Sequence, residues 1–271
     1  MRRRYRLLGG AVVVLTLAVV AVASHAGQPL ETESATILPR GTWELEGTAE
    51  YQVSNEGTER ALPLAVGYGI SGRLELLVEP VFYTAIRPTG GTPATGLGDV
   101  EVTLTGVLRR VTPRHVGVAL AVEQKLPTAR NLAIGTGRAD ETVSVLLTRL
   151  GPRVAMHVNA GYAFIGRIPG VPLRNTWNGA LAAEYHATPR LDWAVEVLGV
   201  TAASAVPTSG EAVRHAGTAT GAAEIGGAEI IGMVGMRYLV DRTVSLAFGV
   251  TVDNNGAVLF RPGVSMTFPH F

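Results

Sequence analysis

Cysteine is absent from the 271 residues, which excludes a disulfide framework and any thiolate metal site. An exported chain of this length must then be held by an extensive packed or hydrogen-bonded body. Lysine is nearly absent too, Lys125 being the only one. The solvated face of a soluble sheet uses lysine freely, also to guard its edges, so this scarcity argues against a soluble sandwich. Beyond residue 26 no run approaches the roughly 18 apolar residues of a membrane helix. Hydrophobic residues nevertheless make up 47% of the chain, so they are dispersed in short pieces. No segment carries a 3.6-residue period, and the scattered arginines form no dense patch of the kind that binds nucleic acid.

What is present begins with a basic start, Arg2, Arg3, Arg4 and Arg6, followed by an apolar run from Ala11 to Ala23. This reads as a cleaved secretory signal peptide over 1–26, with the mature chain starting near Gly27. Removing it leaves 19 basic against 22 acidic residues, a net charge of about −3.

The rest alternates apolar with polar or small residues at period two, the pattern of strands. From Thr42 to Val53, Trp43, Leu45, Ala49, Tyr51 and Val53 share one face, and Glu44, Glu46, Glu50 and Gln52 the other. The pattern returns at about 61–70, 73–83, 99–109, 115–126, 141–149, 153–164, 176–186, 190–200, 226–240, 243–251 and 257–268. About twelve strands are therefore expected. Tight links at 71–72, 110–114, 150–152, 187–189 and 241–242 alternate with longer ones at 54–60, 84–98, 127–140, 165–175, 201–225 and 252–256. Short turns at one rim and long loops at the other indicate an all-β transmembrane antiparallel up-and-down barrel over 42–271, with its termini in the periplasm. Residues 27–41 are expected as a periplasmic segment. They are too short for a plug domain but able to tuck into the mouth, with Glu31 and Glu33 meeting interior arginines.

Aromatic residues fall in two bands at the strand ends, as in interfacial girdles. Trp43, Tyr68, Tyr185, Trp193, Tyr238 and Phe268 mark the periplasmic band, and Tyr51, Phe82, Tyr162, Phe164, Trp177 and Phe260 the outer one. Parity then turns Glu44, Glu46, Glu50, Glu75, Glu79, Glu101, Glu123, Glu184, Asp192 and Glu196 into the lumen. Lys125, His115, His157, Asn159, His186 and Arg237 join them. Basic groups on the lipid face would cost about 2–4 kcal/mol near mid-bilayer, which favours this assignment. An acid-lined path prefers cations or neutral solutes over anions. The alternative is a structural network in which loop arginines pair the carboxylates. The long loop Thr201 to Glu224 either folds inward or is mobile, with mobility favoured.

Ser144, His157 and Asn159 share one side of adjacent strands, but no motif frames them as a hydrolase triad, so no enzyme is expected. The histidines show no ligand spacing, and Gly96-Leu97-Gly98 precedes a strand, so neither a metal nor a cofactor is expected.

The runs Ile37-Leu38-Pro39-Arg40-Gly41-Thr42-Trp43-Glu44-Leu45-Glu46, Gly96-Leu97-Gly98-Asp99, Lys125-Leu126-Pro127-Thr128, Gly135-Thr136-Gly137 and His157-Val158-Asn159-Ala160-Gly161-Tyr162 resemble the outer-membrane barrel family associated with the meta-pathway of phenol degradation. The likeness spans about 31–164. It implies a transport-type outer-membrane barrel whose solutes are small and aromatic or hydrophobic. One departure is the C-terminus, where Phe271 falls out of phase with the outward row Phe260, Val264, Met266 and Phe268. The expectation is thus a passive outer-membrane channel, with a closed structural or adhesive barrel as its rival. Its partners are outer-membrane lipid, the barrel assembly machinery and small solutes, with no nucleic acid.

Overall fold

A computed structural model describes residues 29–203 and 228–269. Residues 1–28 with the signal peptide, 204–227 with most of the long loop, and His270 and Phe271 lie outside them. The described residues contain no helix, only strands running antiparallel: β1 (Trp43–Thr48), β2 (Glu50–Ser54), β3 (Gly57–Ser71), β4 (Leu74–Pro88), β5 (Ala94–Gly96), β6 (Val100–Arg109) and β7 (Gly117–Leu126), followed by β8 (Asp140–Leu150), β9 (Val154–Phe164), β10 (Thr176–Thr188), β11 (Leu191–Val200), β12 (Glu229–Leu239), β13 (Val244–Asp253) and β14 (Val258–Phe268). From β6 to β14 each strand pairs with the next in sequence, β3 pairs with β4 and β4 with both β5 and β6, β1 and β2 both pair with β3 and with β14, and the β1–β14 pairing closes the barrel.

These segments make twelve staves. β1 and β2 are one stave, because both keep a single register against β14 and against β3. The break between them has a simple cause. Pro262 and Pro63 stand on the two flanking strands beside Thr48 and Ala49, and neither has an N–H to donate. The Ala49 N–H still donates to the Pro262 carbonyl at 3.0 Å. β5 and β6 likewise share one register against β4, interrupted opposite Phe82.

The twelve-strand barrel of the sequence reading is the observed fold, with three local differences. β3 and β4 are longer than alternation indicates, so the first outer link is a two-residue turn at Asn55-Glu56 and much of 84–98 is paired. A register shift in the β3–β4 pair puts Phe82 and Tyr83 both outward on β4, a bulge that period-two counting cannot register. Phe82 therefore sits in the body of its strand and not at the outer rim. His115 belongs to the exposed turn after β6, hydrogen-bonded to Thr112, and does not face the lumen.

Inside and outside follow the pleat. On β9, Met156 and Val158 are exposed while His157 and Asn159 are buried, and every strand repeats this with apolar groups outward. A continuous apolar exterior around a polar interior is stable only where lipid, and not water, is the outer solvent.

The largest correction concerns the N-terminal segment. Its described part, 29–41, does not stay at the periplasmic mouth. It enters the barrel and threads the lumen, with Pro29, Leu30, Thr32, Ala35 and Leu38 all buried. About a dozen residues can reach at most roughly 40 Å, more than the height of the apolar band, so this irregular inner strand, bent at Thr32 and Ala35, occupies a narrow lumen where a folded domain would not fit.

Candidate functional site

The lumen is built from one face of twelve staves plus this inner strand. The strand is fixed at successive heights by side chains of the wall. At the lowest point, the Leu38 N–H donates to Glu75. Higher up, the Ala35 N–H donates to Thr148 Oγ1 at 2.8 Å, and Ser34 Oγ lies 3.2 Å from the same hydroxyl. The Asn159 amide clasps the Glu33 backbone, donating to its carbonyl at 3.0 Å and accepting from its N–H at 2.7 Å, as a neighbouring β-strand would. Glu196 accepts the Glu31 N–H at 3.1 Å together with the N–H and hydroxyl of Thr32. Finally Glu31 pairs with Arg261, whose Nε lies 3.0 Å from Glu50.

Small residues make room for this strand. Leu30 packs on Ala182, Ala194 and Met233, and Ala35 on Val107, Ala119, Ala121 and Leu146. A methyl group at Gly69 would stand 2.1 Å from the Pro39 carbonyl oxygen, and one at Gly235 would stand 2.5 Å from Pro29. These inward alanines and glycines were the available signal, since a filled lumen without an inner strand calls for larger groups.

Two further ion-pair networks line the lumen. Lys125 pairs with Asp140 and reaches Thr136 Oγ1 at 3.4 Å. Arg237 lies 3.1 Å from Glu184 and 2.9 Å from Asp192, and Asp192 also meets His186 at 2.7 Å. Glu184 continues to His157 at 3.4 Å, and His157 to Thr148 at 3.0 Å. Glu44 accepts hydrogen bonds from Ser265 and Thr267. Glu101 and Glu123 are buried, and Glu46 and Glu79 half-buried. The guanidinium partners of Glu184, Asp192, Glu31 and Glu50 come from strands and not loops, Arg237 on β12 and Arg261 on β14. Ser144 makes no hydrogen bond to His157, whose two ring nitrogens face Thr148 and Glu184, and Asn159 is committed to the inner strand. The triad reading thus has no geometry behind it.

At the other mouth the loop between β7 and β8 turns inward. Ile134 is buried against Ala94, Ala129 and Ile86, with the Ala129 N–H held by Asp99 at 2.8 Å. The sequence pointed instead to 201–225, of which 204–225 lie outside the described residues.

The aromatic groups are outward and most are well exposed. Trp43 stacks on Tyr68 with centroids 4.4 Å apart, beside Phe268 on the closing strand. Tyr185 pairs in register with Trp193, and Tyr238 stands opposite Leu191. At the other end Tyr162 lies 4.7 Å from Trp177 and 5.1 Å from Phe164, and Arg60 covers Tyr51.

No protein-family model matches the sequence, and no curated protein matches it. Solved structures do resemble the fold. An outer membrane channel from Pseudomonas putida F1 superposes with a TM-score of 0.61 at 13% identity, over 86% of this chain and 98% of that one. The KdgM porin in complex with disordered oligogalacturonate gives 0.55 at 11% identity, over 83% and 99%. At such identities the likeness is one of architecture, that of outer-membrane barrels.

Proposed function

We propose that the chain is an outer-membrane channel for small solutes whose resting path is occluded by its own residues 29–41. The carrying observation is that the inner strand is attached to the wall by individual hydrogen bonds and ion pairs, and so can be displaced as a unit while the barrel stays intact. Short turns face the periplasm and long loops the exterior. Carboxylates dominate the described lumen, so polyanions such as the oligogalacturonate bound by the KdgM porin are disfavoured here, and cations or neutral molecules favoured. Resemblance to the phenol-degradation barrel family supports small aromatic or hydrophobic solutes as the neutral class.

The test is conductance of the refolded mature chain in a planar bilayer under a salt gradient, beside a variant lacking residues 27–38. Small, infrequent cation-favouring steps in the intact chain and larger steady ones in the truncated chain are expected. A folded truncated barrel that stays silent would overturn the channel. It would support the second reading, a closed structural or adhesive barrel, which the inward Ile134 loop favours.

A further inference from the structure

Arginines that look scattered in the sequence converge at the short-turn rim. Arg73 lies in the turn between β3 and β4, and Arg110 and Arg114 in the turn between β6 and β7. Arg149 and Arg153 flank the β8–β9 turn, and Arg190 and Arg242 occupy the next two. All are exposed, and among the described residues none has a carboxylate within ion-pairing distance. Some are held over neighbouring turns. Arg110 donates to the Gly72 carbonyl at 3.0 Å, and Arg149 to that of Arg114 at 3.4 Å. The one acidic residue of these turns, Asp241, is spent on capping its own turn. The carboxylates of this end, Glu44, Glu75 and Asp192, turn inward and are hydrogen-bonded there. Charge is therefore partitioned radially, carboxylates inside, with Arg237 paired among them, and the turn guanidiniums outside. The long-loop end shows no such sorting, since exposed Arg60, Arg87 and Arg138 share it with exposed Glu56 and Glu141.

The rim is continuous with the apolar belt. Arg149 stands on the outward row of β8, opposite the exposed Met156, and Arg190 is three residues from the girdle ring of Trp193. At about 3.3 Å per residue these guanidiniums lie within roughly 10 Å of the girdle, the depth of a lipid headgroup layer. From this geometry we infer that the short-turn rim binds the phosphates of anionic phospholipids in the leaflet it faces, as an annular site that selects phosphatidylglycerol over zwitterionic lipid. Guanidinium forks suit phosphate oxygens, and their position on the lipid side, one step below the belt, favours a lipid partner over a soluble one. The inference rests on the membrane reading proposed above.

Trp43 and Trp193 are placed to report it, because both lie at this rim while Trp177, the remaining tryptophan, lies at the other. In a Trp177→Phe chain reconstituted into phosphatidylcholine vesicles, brominated phosphatidylglycerol is expected to quench tryptophan fluorescence about fivefold more effectively than brominated phosphatidylcholine. Changing Arg110, Arg114, Arg149 and Arg153 together to Gln should abolish the preference, while the corresponding Lys variant, which keeps charge but not the turn hydrogen bonds, should retain most of it. Equal quenching by the two lipids, or an unaltered preference in the Gln variant, would overturn the site. Binding of purified peptidoglycan that is lost in the Gln variant, without a lipid preference, would overturn it in favour of the cell wall. Failure of either brominated lipid to quench at all would instead refute the membrane barrel itself.

Discussion

Arg261 on the last strand and Glu50 on β2, the second half of the first stave, meet across the seam that closes the barrel, Nε to carboxylate oxygen at 3.0 Å, and Glu31 of the inner strand completes the cluster. Wall and occluding strand are thus tied at one guanidinium. Arg261 is 1% exposed, so replacing it strands two carboxylates in a site with little water. Arg261→Met is expected to destabilise the barrel by about 3–5 kcal/mol, the usual cost of orphaning a buried partner. Denaturant unfolding followed by gel mobility measures this, and adding Glu50→Gln should restore part of the loss.

Glu196 supplies the densest set of bonds to the inner strand. Glu196→Ala should weaken its hold by about 1.5–3 kcal/mol, the scale of hydrogen bonds to a charged group. Since the chain has no cysteine, a single Ser34→Cys reports exposure cleanly. Its thiol is expected to be shielded from a membrane-impermeant reagent, and to label faster when Glu196→Ala is added. Equal rates would place the hold elsewhere.

Glu44, Glu75 and Glu79 line one sector of the lumen, on the first stave and β4. Changing all three to Gln in the chain lacking 27–38 should lower cation preference, read as a reversal potential closer to zero. An unchanged potential would remove these residues from selectivity. In the intact chain the same change should also raise open probability, because Glu75 holds the Leu38 N–H.

Asp241 accepts bonds from the Thr243 N–H at 2.7 Å, its hydroxyl at 2.9 Å and the Val244 N–H at 2.8 Å. The Thr243 backbone bond, then its hydroxyl and the Val244 bond, hold the carboxyl below the ordinary aspartate range. A lowered folded value means the stabilisation is complete above the unfolded pKa and is lost as pH falls through the folded one. Amide exchange at Thr243 and Val244 should accelerate in acid, and Asp241→Asn should remove that pH dependence.

Alternation made most of the wall legible, because a two-residue period leaves no freedom over which face a side chain takes. On β9, His157 and Asn159 could only be inside once Met156 and Val158 were outside. Bulges break that logic locally, as at Phe82 and Tyr83. The pairing of Glu31 with an interior arginine was legible, but the path of the inner strand through the lumen was not, for a different reason. Its contacts are with Glu75, Thr148, Asn159, Glu196 and Arg261, distant in the chain and spread over five staves. No local period encodes such pairings. The rim arginines show the same limit: they are spaced by hairpin lengths in sequence and become neighbours only when the sheet curls.

The strand that fills the lumen directly precedes β1, and β1 is half of the closing seam. Its ion pair to Arg261 spans 230 positions, so both ends of the chain must arrive before it forms. Closure and occlusion are therefore expected to be coupled in time, since the same stave that completes the seam carries the occluding segment. Variants that loosen the inner strand should accordingly slow the last kinetic phase of refolding more than the earlier hairpin steps, making the occluding strand a determinant of how quickly the barrel becomes a barrel.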